Sequence, residues 1–192
     1  MRLFVVAVIG YMIGNISNAY LIGKIFLKKD VRNYGSGNAG ATNALRAFGA
    51  KIGILVFLLD VFKGIVAVYI GRQLNLEFGG YIAGISVIAG HNWPVTLKFK
   101  GGKGIATSIG VMLLINPLVS LICFTVGLLI AIITRTVSLG SLIGVAIAPI
   151  IIVFFKPVDY KLLVFTLMLS FMAVFRHRAN IARLVKGQEN KL

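Results

Sequence analysis

Apolar and polar positions fall in long blocks rather than with the period of an amphipathic helix or a half-buried strand. Apolar runs of about 17–25 residues, the length that crosses a bilayer as a helix, recur along the whole chain. Short stretches rich in glycine, asparagine and basic residues separate them. Seven transmembrane helices fit best, over about 3–27, 52–71, 79–97, 104–115, 118–134, 138–155 and 159–175. The run from Gly104 to Thr134 is too long for one span. The Asn116–Pro117 pair supplies a turn there, because proline restricts the residue before it. The fourth helix is then short, and the alternative is five or six spans with a re-entrant segment. The first run is too long for a signal-peptide core and has no clear small-residue cleavage site, so it reads as an uncleaved span. No internal repeat, low-complexity segment or second domain is visible. The expected fold class is all-α, a polytopic membrane protein with one domain over 1–192.

Charge orients this picture. The chain is 58% hydrophobic and 13% charged, with a formal net charge of +15. A soluble domain would carry roughly a quarter charged residues. With seven spans, fifteen Lys and Arg fall on one side, and Arg2, Arg72, Lys156 and Lys161 on the other. The excess marks the cytoplasmic side, which places the N-terminus outside and the C-terminus in the cytoplasm. Basic charge on such a protein reflects cytoplasmic loops and anionic headgroups rather than nucleic acid. The single cysteine, Cys123, lies among apolar residues and reads as a packing residue, and no disulfide can form within the chain.

The unusual polar sequence gathers on the cytoplasmic side in three blocks. The first is GSGNAGATNALRAFG, 35–49. Its G-x-G-x-x-G spacing is not a dinucleotide site, because a membrane helix and a basic linker precede it and Asp60 lies within a span. Small residues still let backbone N–H groups approach an anion, and a following helix start adds a favourable dipole. Asn43, Arg46 and Lys51 stand on or near that helix. The second block is GHNWPVTLKFKGGKGIATS, 90–108. Leu97 and Gly104 occupy positions that exclude a nucleotide triphosphatase loop. A glycine loop with Lys103 at a helix N-terminus remains, with His91 and Asn92 beside it. The third block is FRHRANIARL, 175–184, where helical spacing groups Arg176, Asn180 and Arg183, and places His177 beside Asn180. Arg178 and Lys186 read as headgroup contacts. Asp60 and Lys63, three apart within a span, are expected to neutralise each other. Ser138 and Ser141 are either hydroxyl ligands or helix caps.

The five carboxylates are Asp30, Asp60, Glu77, Asp159 and Glu189, and no two are close in sequence. Paired-carboxylate hydrolysis and metal-ligand spacing are unsupported. So is a His-x-x-x-x-Asp acyltransferase motif, since Thr96 and Ala182 stand where the acid would be. An anion-binding surface without a nucleophile or a carboxylate base suits two phosphate compounds, one already carrying a good leaving group.

The three blocks, together with GNISNAYLIGK in the first span and LLDVFKG in the second, resemble the bacterial glycerol-3-phosphate acyltransferases that take the acyl group from acyl-phosphate. The likeness covers nearly the whole chain. One departure is GNISNAYLIG, where a proline would be expected near position 17 or 18. The resemblance implies a seven-span enzyme of the cell inner membrane with its site facing the cytoplasm. It would join acyl-phosphate and glycerol 3-phosphate into 1-acyl-glycerol 3-phosphate and phosphate, without acyl-CoA or acyl carrier protein as direct donor. It also implies that a substrate phosphate takes the hydroxyl proton. The candidate catalytic residues are His177, Asn180 and Ser36. The candidate substrate-binding residues are Gly37, Asn38, Thr42, Asn43, Arg46, Lys51, His91, Asn92, Gly101, Gly102, Lys103, Gly104, Thr107, Ser138, Ser141 and Arg176. No cofactor, metal or nucleic acid is expected. The partners are the two small substrates and the bilayer, with the protein a monomer. A transporter of a phosphorylated solute is the competing class. Polar blocks confined to one side and the lack of an inverted repeat speak against it, and a purely structural subunit would leave the blocks without a purpose.

Overall fold

The computed structural model describes residues 1–75, 77–155 and 157–191, so Lys156 of the charge count lies outside the described residues. Among the described residues the chain is helical, with ten α-helices, two 3-10 turns and no strand. It divides into two compact units, Met1–Ile115 and Asn116–Leu192.

The first unit holds α1 (Arg2–Asn15), α2 (Asn18–Phe26), α3 (Ala41–Phe48), α4 (Ala50–Leu74), α5 (Gly79–Asn92) and α6 (Ile105–Ile115). Helix α5 packs against α1, α4 and α6, and α3 packs against α4. These contacts run through glycine. A Cβ on Gly14 would overlap the Val87 carbonyl, and one on Gly90 would overlap the Tyr11 carbonyl. Helices α1 and α5 therefore meet backbone to backbone, as helices do in lipid, where small residues let backbones approach. Gly64 lies equally close to the backbone of α6, and Gly110 to that of Val61.

The second unit holds α7 (Pro117–Thr134), α8 (Val137–Phe154), α9 (Tyr160–Arg176) and α10 (Arg178–Val185). The Asn116 side chain accepts from the Val119 N–H at 3.0 Å, with Pro117 at the first helical position. The Asp159 carboxylate caps α9 in the same way, accepting from Leu162 N–H at 2.9 Å. Both are helix starts that local sequence chemistry favours. Gly127 and Gly140 bring α7 and α8 together. Ser170 Oγ donates to the Val145 carbonyl at 3.0 Å, tying α9 to α8.

Among the described residues, four stretches are long and apolar enough to cross a membrane: Arg2–Phe26, Ala50–Leu74, Pro117–Thr134 and Val137–Phe154. The bent pair α9 and α10 makes a fifth if taken as one span. The helix bounds reproduce five of the seven expected runs closely. The other two differ. The first run breaks at Ile16–Ser17 between α1 and α2, and the 79–97 run ends as a helix at Asn92, followed by a 3-10 turn over Val95–Leu97. At the first break Lys63 Nζ donates to the Ile16 carbonyl and Thr96 Oγ1 to that of Asn15, and at the second the Tyr11 hydroxyl donates to the Trp93 carbonyl and the Gly102 N–H to that of His91, taking over backbone groups that a continuous helix would have paired.

Candidate active site

In the first unit the 35–49 block is built around one buried amide. Asn43, on the first turn of α3, is 2% exposed. Its Oδ1 accepts from Ser36 N–H at 2.8 Å and from Ser36 Oγ at 3.1 Å. Its Nδ2 donates to the carbonyls of Val31 at 2.9 Å and Tyr34 at 3.0 Å. Those four bonds use the amide's full capacity, so Asn43 is committed to the shape of the loop. Gly35, at φ +55°, must be glycine, since a Cβ there would overlap Asn43 Oδ1. Asn38 Nδ2 leans on Ser36 through contacts of 3.3 and 3.4 Å. Asp30 anchors the base of the loop, with Arg32 Nη2 at 2.8 Å from its Oδ2. The Arg32 side-chain hydrogen bond holds the Asp30 carboxyl below its usual range. Thr42 and Arg46 are half-buried, while Lys51 is exposed on the first turn of α4.

The second block folds back over the end of α5. Gly102 N–H donates to the His91 carbonyl at 3.1 Å, and Tyr11 Oη donates to the Trp93 carbonyl at 2.8 Å. A Cβ on Gly101 would overlap the His91 carbonyl, and one on Gly102 would overlap His91 Nε2. Only glycine lets the loop lie this close to the histidine. Lys103 is half-buried, Gly104 takes φ +79°, and α6 starts at Ile105. The amide of Asn92 and the hydroxyls of Thr107 and Ser17 are buried with no hydrogen-bond partner among the described residues. Buried polar groups of this kind cost free energy unless something pairs with them, and Asn92 and Thr107 flank the glycine loop in sequence.

Behind His91 lies a group that sequence reasoning left in a separate place. Lys63 Nζ is 3.0 Å from Asp60 Oδ1, as expected for residues three apart. It also lies 2.8 Å from His91 Nδ1 and donates to the Ile16 carbonyl at 2.8 Å. Asn18 Nδ2 donates to Asp60 Oδ1 at 2.9 Å. The signal available in sequence was polar residues in greasy helices, but only tertiary structure joins them.

In the second unit, α9 ends at His177, and α10 leaves at a bend of 65°. The grouping of Arg176, Asn180 and Arg183 assumed a continuous helix. The break puts Arg176 on α9, whereas Asn180 and Arg183 share α10. The physical reason is the Ala173 carbonyl, which accepts both the His177 backbone N–H at 2.9 Å and the ring Nδ1 at 2.8 Å. A carbonyl can only accept, so Nδ1 carries hydrogen, and the neutral ring presents Nε2 as an acceptor. His177 is 2% exposed. Arg178 is exposed, with its guanidinium 4.9 Å from the Phe175 ring.

Glu189 is the residue that the sequence reading missed. Its Oε1 accepts from Asn180 Nδ2 at 2.6 Å and from Ser138 Oγ at 3.0 Å, and its Oε2 accepts from Arg183 Nε at 2.8 Å. Burial pushes its carboxyl up, but the bonds from Asn180, Arg183 and Ser138 outweigh this and hold it below the usual range. A lone acid in a basic tail was the only hint. Ser138 is thus bonded to Glu189 rather than capping α8, and Ser141 is half-buried one turn on. Among the described residues no group of three His, Cys, Asp or Glu side chains could hold a metal ion.

Residues 4–187 match the family model described as glycerol-3-phosphate acyltransferase. The chain is 50% identical over 187 residues to the glycerol-3-phosphate acyltransferase of Thermoanaerobacter pseudethanolicus, covering 97% of this chain and 93% of that protein. It is 44% identical over 194 residues to that of Clostridioides difficile, covering 98% and 94%. Among solved structures it is similar to PlsY (YgiH), an integral membrane glycerol 3-phosphate acyltransferase, in its glycerol 3-phosphate form. The TM-score is 0.90 and the identity 36%, covering 100% of this chain and 96% of that one. The lysophosphatidic acid form of PlsY gives a TM-score of 0.88 at 35% identity, with the same coverage. With a family model spanning almost its full length, half-identical relatives and an integral membrane protein as its structural counterpart, this chain is an integral membrane protein of the glycerol-3-phosphate acyltransferase family.

Proposed function

We propose that the chain transfers an acyl group from acyl-phosphate to glycerol 3-phosphate. The products are 1-acyl-glycerol 3-phosphate (lysophosphatidic acid) and inorganic phosphate, the first acylation of phospholipid synthesis. The observation that carries this reading is the match, over the full chain, to a protein solved with glycerol 3-phosphate and with lysophosphatidic acid. The donor is argued from chemistry. The hydroxyl oxygen attacks the acyl carbon, the carbon–oxygen bond to phosphate breaks, and a phosphate oxygen takes the hydroxyl proton. Such a donor needs neither an enzyme nucleophile nor a carboxylate base, which fits the residues of the three blocks.

Local geometry supports the following roles. Backbone N–H groups of the Asn38–Thr42 stretch, at the start of α3, and of Gly104, at the start of α6, bind phosphate oxygens. Arg46, Lys51, Lys103 and Arg176 supply positive charge, and Asn92 and Thr107 supply polar partners. Asn43 acts by holding Ser36. His177 accepts through Nε2 from the second hydroxyl of glycerol 3-phosphate and so orients the acceptor, leaving the attacking hydroxyl's proton to the phosphate, while Asn180 is held by Glu189 at the same helix start. Holding two anions in register is the main contribution to rate. The whole of 1–192 works as one acyltransferase domain and as a monomer. It crosses the inner membrane seven times with the N-terminus outside and the C-terminus in the cytoplasm, the side that the excess of Lys and Arg marks. The test is purified protein in detergent given palmitoyl phosphate and glycerol 3-phosphate. Phosphate release that needs both compounds is expected. Release without glycerol 3-phosphate, or none at all, would sink the reading.

A further inference from the structure

Lys63 sits inside the membrane-spanning helix α4, is 6% exposed, and is made to do more than cancel Asp60. An ammonium has three N–H donors and no acceptor. Lys63 has three partners at 3.0 Å or less, Asp60 Oδ1 at 3.0 Å, the Ile16 carbonyl at 2.8 Å and His91 Nδ1 at 2.8 Å, and a longer contact to the Gly14 carbonyl at 3.4 Å. Paired with the Asp60 carboxylate as an ammonium, Lys63 has no lone pair with which to accept, so His91 Nδ1 must be the acceptor. His91 Nδ1 therefore carries the lone pair, and the ring proton sits on Nε2. Nε2 is the atom that faces Gly102, where any Cβ would strike it. The Ile16 carbonyl exists as an acceptor because the first run breaks there, and Asn18 just beyond the break fixes Asp60 at 2.9 Å.

We propose that Lys63 is a positioning residue of the acyl-transfer site: it locks His91 in the neutral Nε2–H tautomer, so that the ring presents an N–H donor to the Gly101–Gly104 loop. The inference rests on the functional reading above for its activity assay, but not for its spectroscopic one. Asp60 and the broken end of α1 hold the ammonium, the ammonium holds the ring, and the ring faces the loop. Without Lys63 the ring could put its proton on Nδ1 or turn over, and the loop would lose its donor.

The protein contains only two histidines, His91 and His177, so ¹⁵N-histidine labelling in micelles resolves both, with His177→Gln assigning the signals. At neutral pH the expected pattern for His91 is a pyridine-type Nδ1 and a pyrrole-type Nε2. A pyrrole-type Nδ1 would overturn the proposal, whether or not acyl transfer is the reaction. The functional arm is Asp60→Leu with Lys63→Met, which replaces the pair by apolar residues, a change that buried ion pairs often tolerate. We expect folded protein with kcat on the order of 100-fold lower, the usual effect of a misplaced group at a site, and with His91 no longer in a single tautomer. Full activity in that double variant would show that the pair only neutralises charge, and the proposal would fall. If the variant does not fold, the tautomer of the wild-type ring decides alone. Wild-type protein that is inactive with acyl-phosphate yet shows the expected tautomer would count against the functional reading and leave the tautomer lock standing.

Discussion

At the scale of single residues, the two histidines have opposite faces available. His177 gives Nδ1–H to a backbone carbonyl, and its Nε2 can accept. Replacing it by alanine should cost about 100- to 1000-fold in turnover, the scale of a lost hydrogen bond at a reacting centre, with the protein still folded in the membrane. Arg178→Ala should keep most of its activity, because that side chain is exposed against Phe175. Steady-state kinetics on both variants separate them, and a dead Arg178→Ala beside an active His177→Ala would reverse the assignment. Arg46 lies half-buried beyond the loop that Asn43 organises. The charge-assisted contact to substrate phosphate proposed for it would be worth roughly 1.5–3 kcal/mol. Arg46→Ala should therefore raise KM for glycerol 3-phosphate more than KM for acyl-phosphate. An unchanged KM for glycerol 3-phosphate would remove Arg46 from the site.

At the scale of elements, hydropathy located the helices well, because lipid exposure imposes long apolar runs that local sequence must supply. The bounds of α4, α7, α8 and α9 fall within a few residues of the runs read from the chain. Where a helix had to stop, sequence said less. At the break at Ile16–Ser17 the freed carbonyl is met by Lys63 from another helix, and at the stop at His177 a ring bonds back to Ala173. Neither leaves a local signature. The glycine loops were legible as loops, but not the way Asn43 spends its amide or the way Glu189 clips α10. That clip sets a pH dependence. The Glu189 carboxyl is held below its ordinary 4.5, so its stabilising bonds are fully present above that value and are lost as pH falls through the lower native one. Amide exchange of α10 should accelerate in that acidic window in wild type. In Glu189→Gln it should already be fast at neutral pH, by at least about tenfold, for a loss of about 1.4 kcal/mol or more. An unaltered exchange rate in Glu189→Gln would show that the clip holds nothing.

At the scale of the whole molecule, the described residues include no group of three His, Cys, Asp or Glu side chains that could hold a metal ion. Phosphate release should therefore persist in excess chelator. Full loss there, restored by a divalent ion, would contradict the proposed chemistry. The seam between α1 and α5 has a wider consequence for how the chain can vary. Gly14 and Gly90 leave no volume for any side chain, and Gly90 is the immediate neighbour of His91. Lipid-facing positions such as Leu121 and Ile133 are exposed and indifferent to shape. In a saturation library scored for membrane abundance and for turnover, the outer positions should accept most apolar residues. Positions 14 and 90 should accept none, and should lose both scores together. Thermal robustness and catalytic geometry would then be inherited through the same few cubic ångströms, so this enzyme could be stabilised from its periphery but not from that seam.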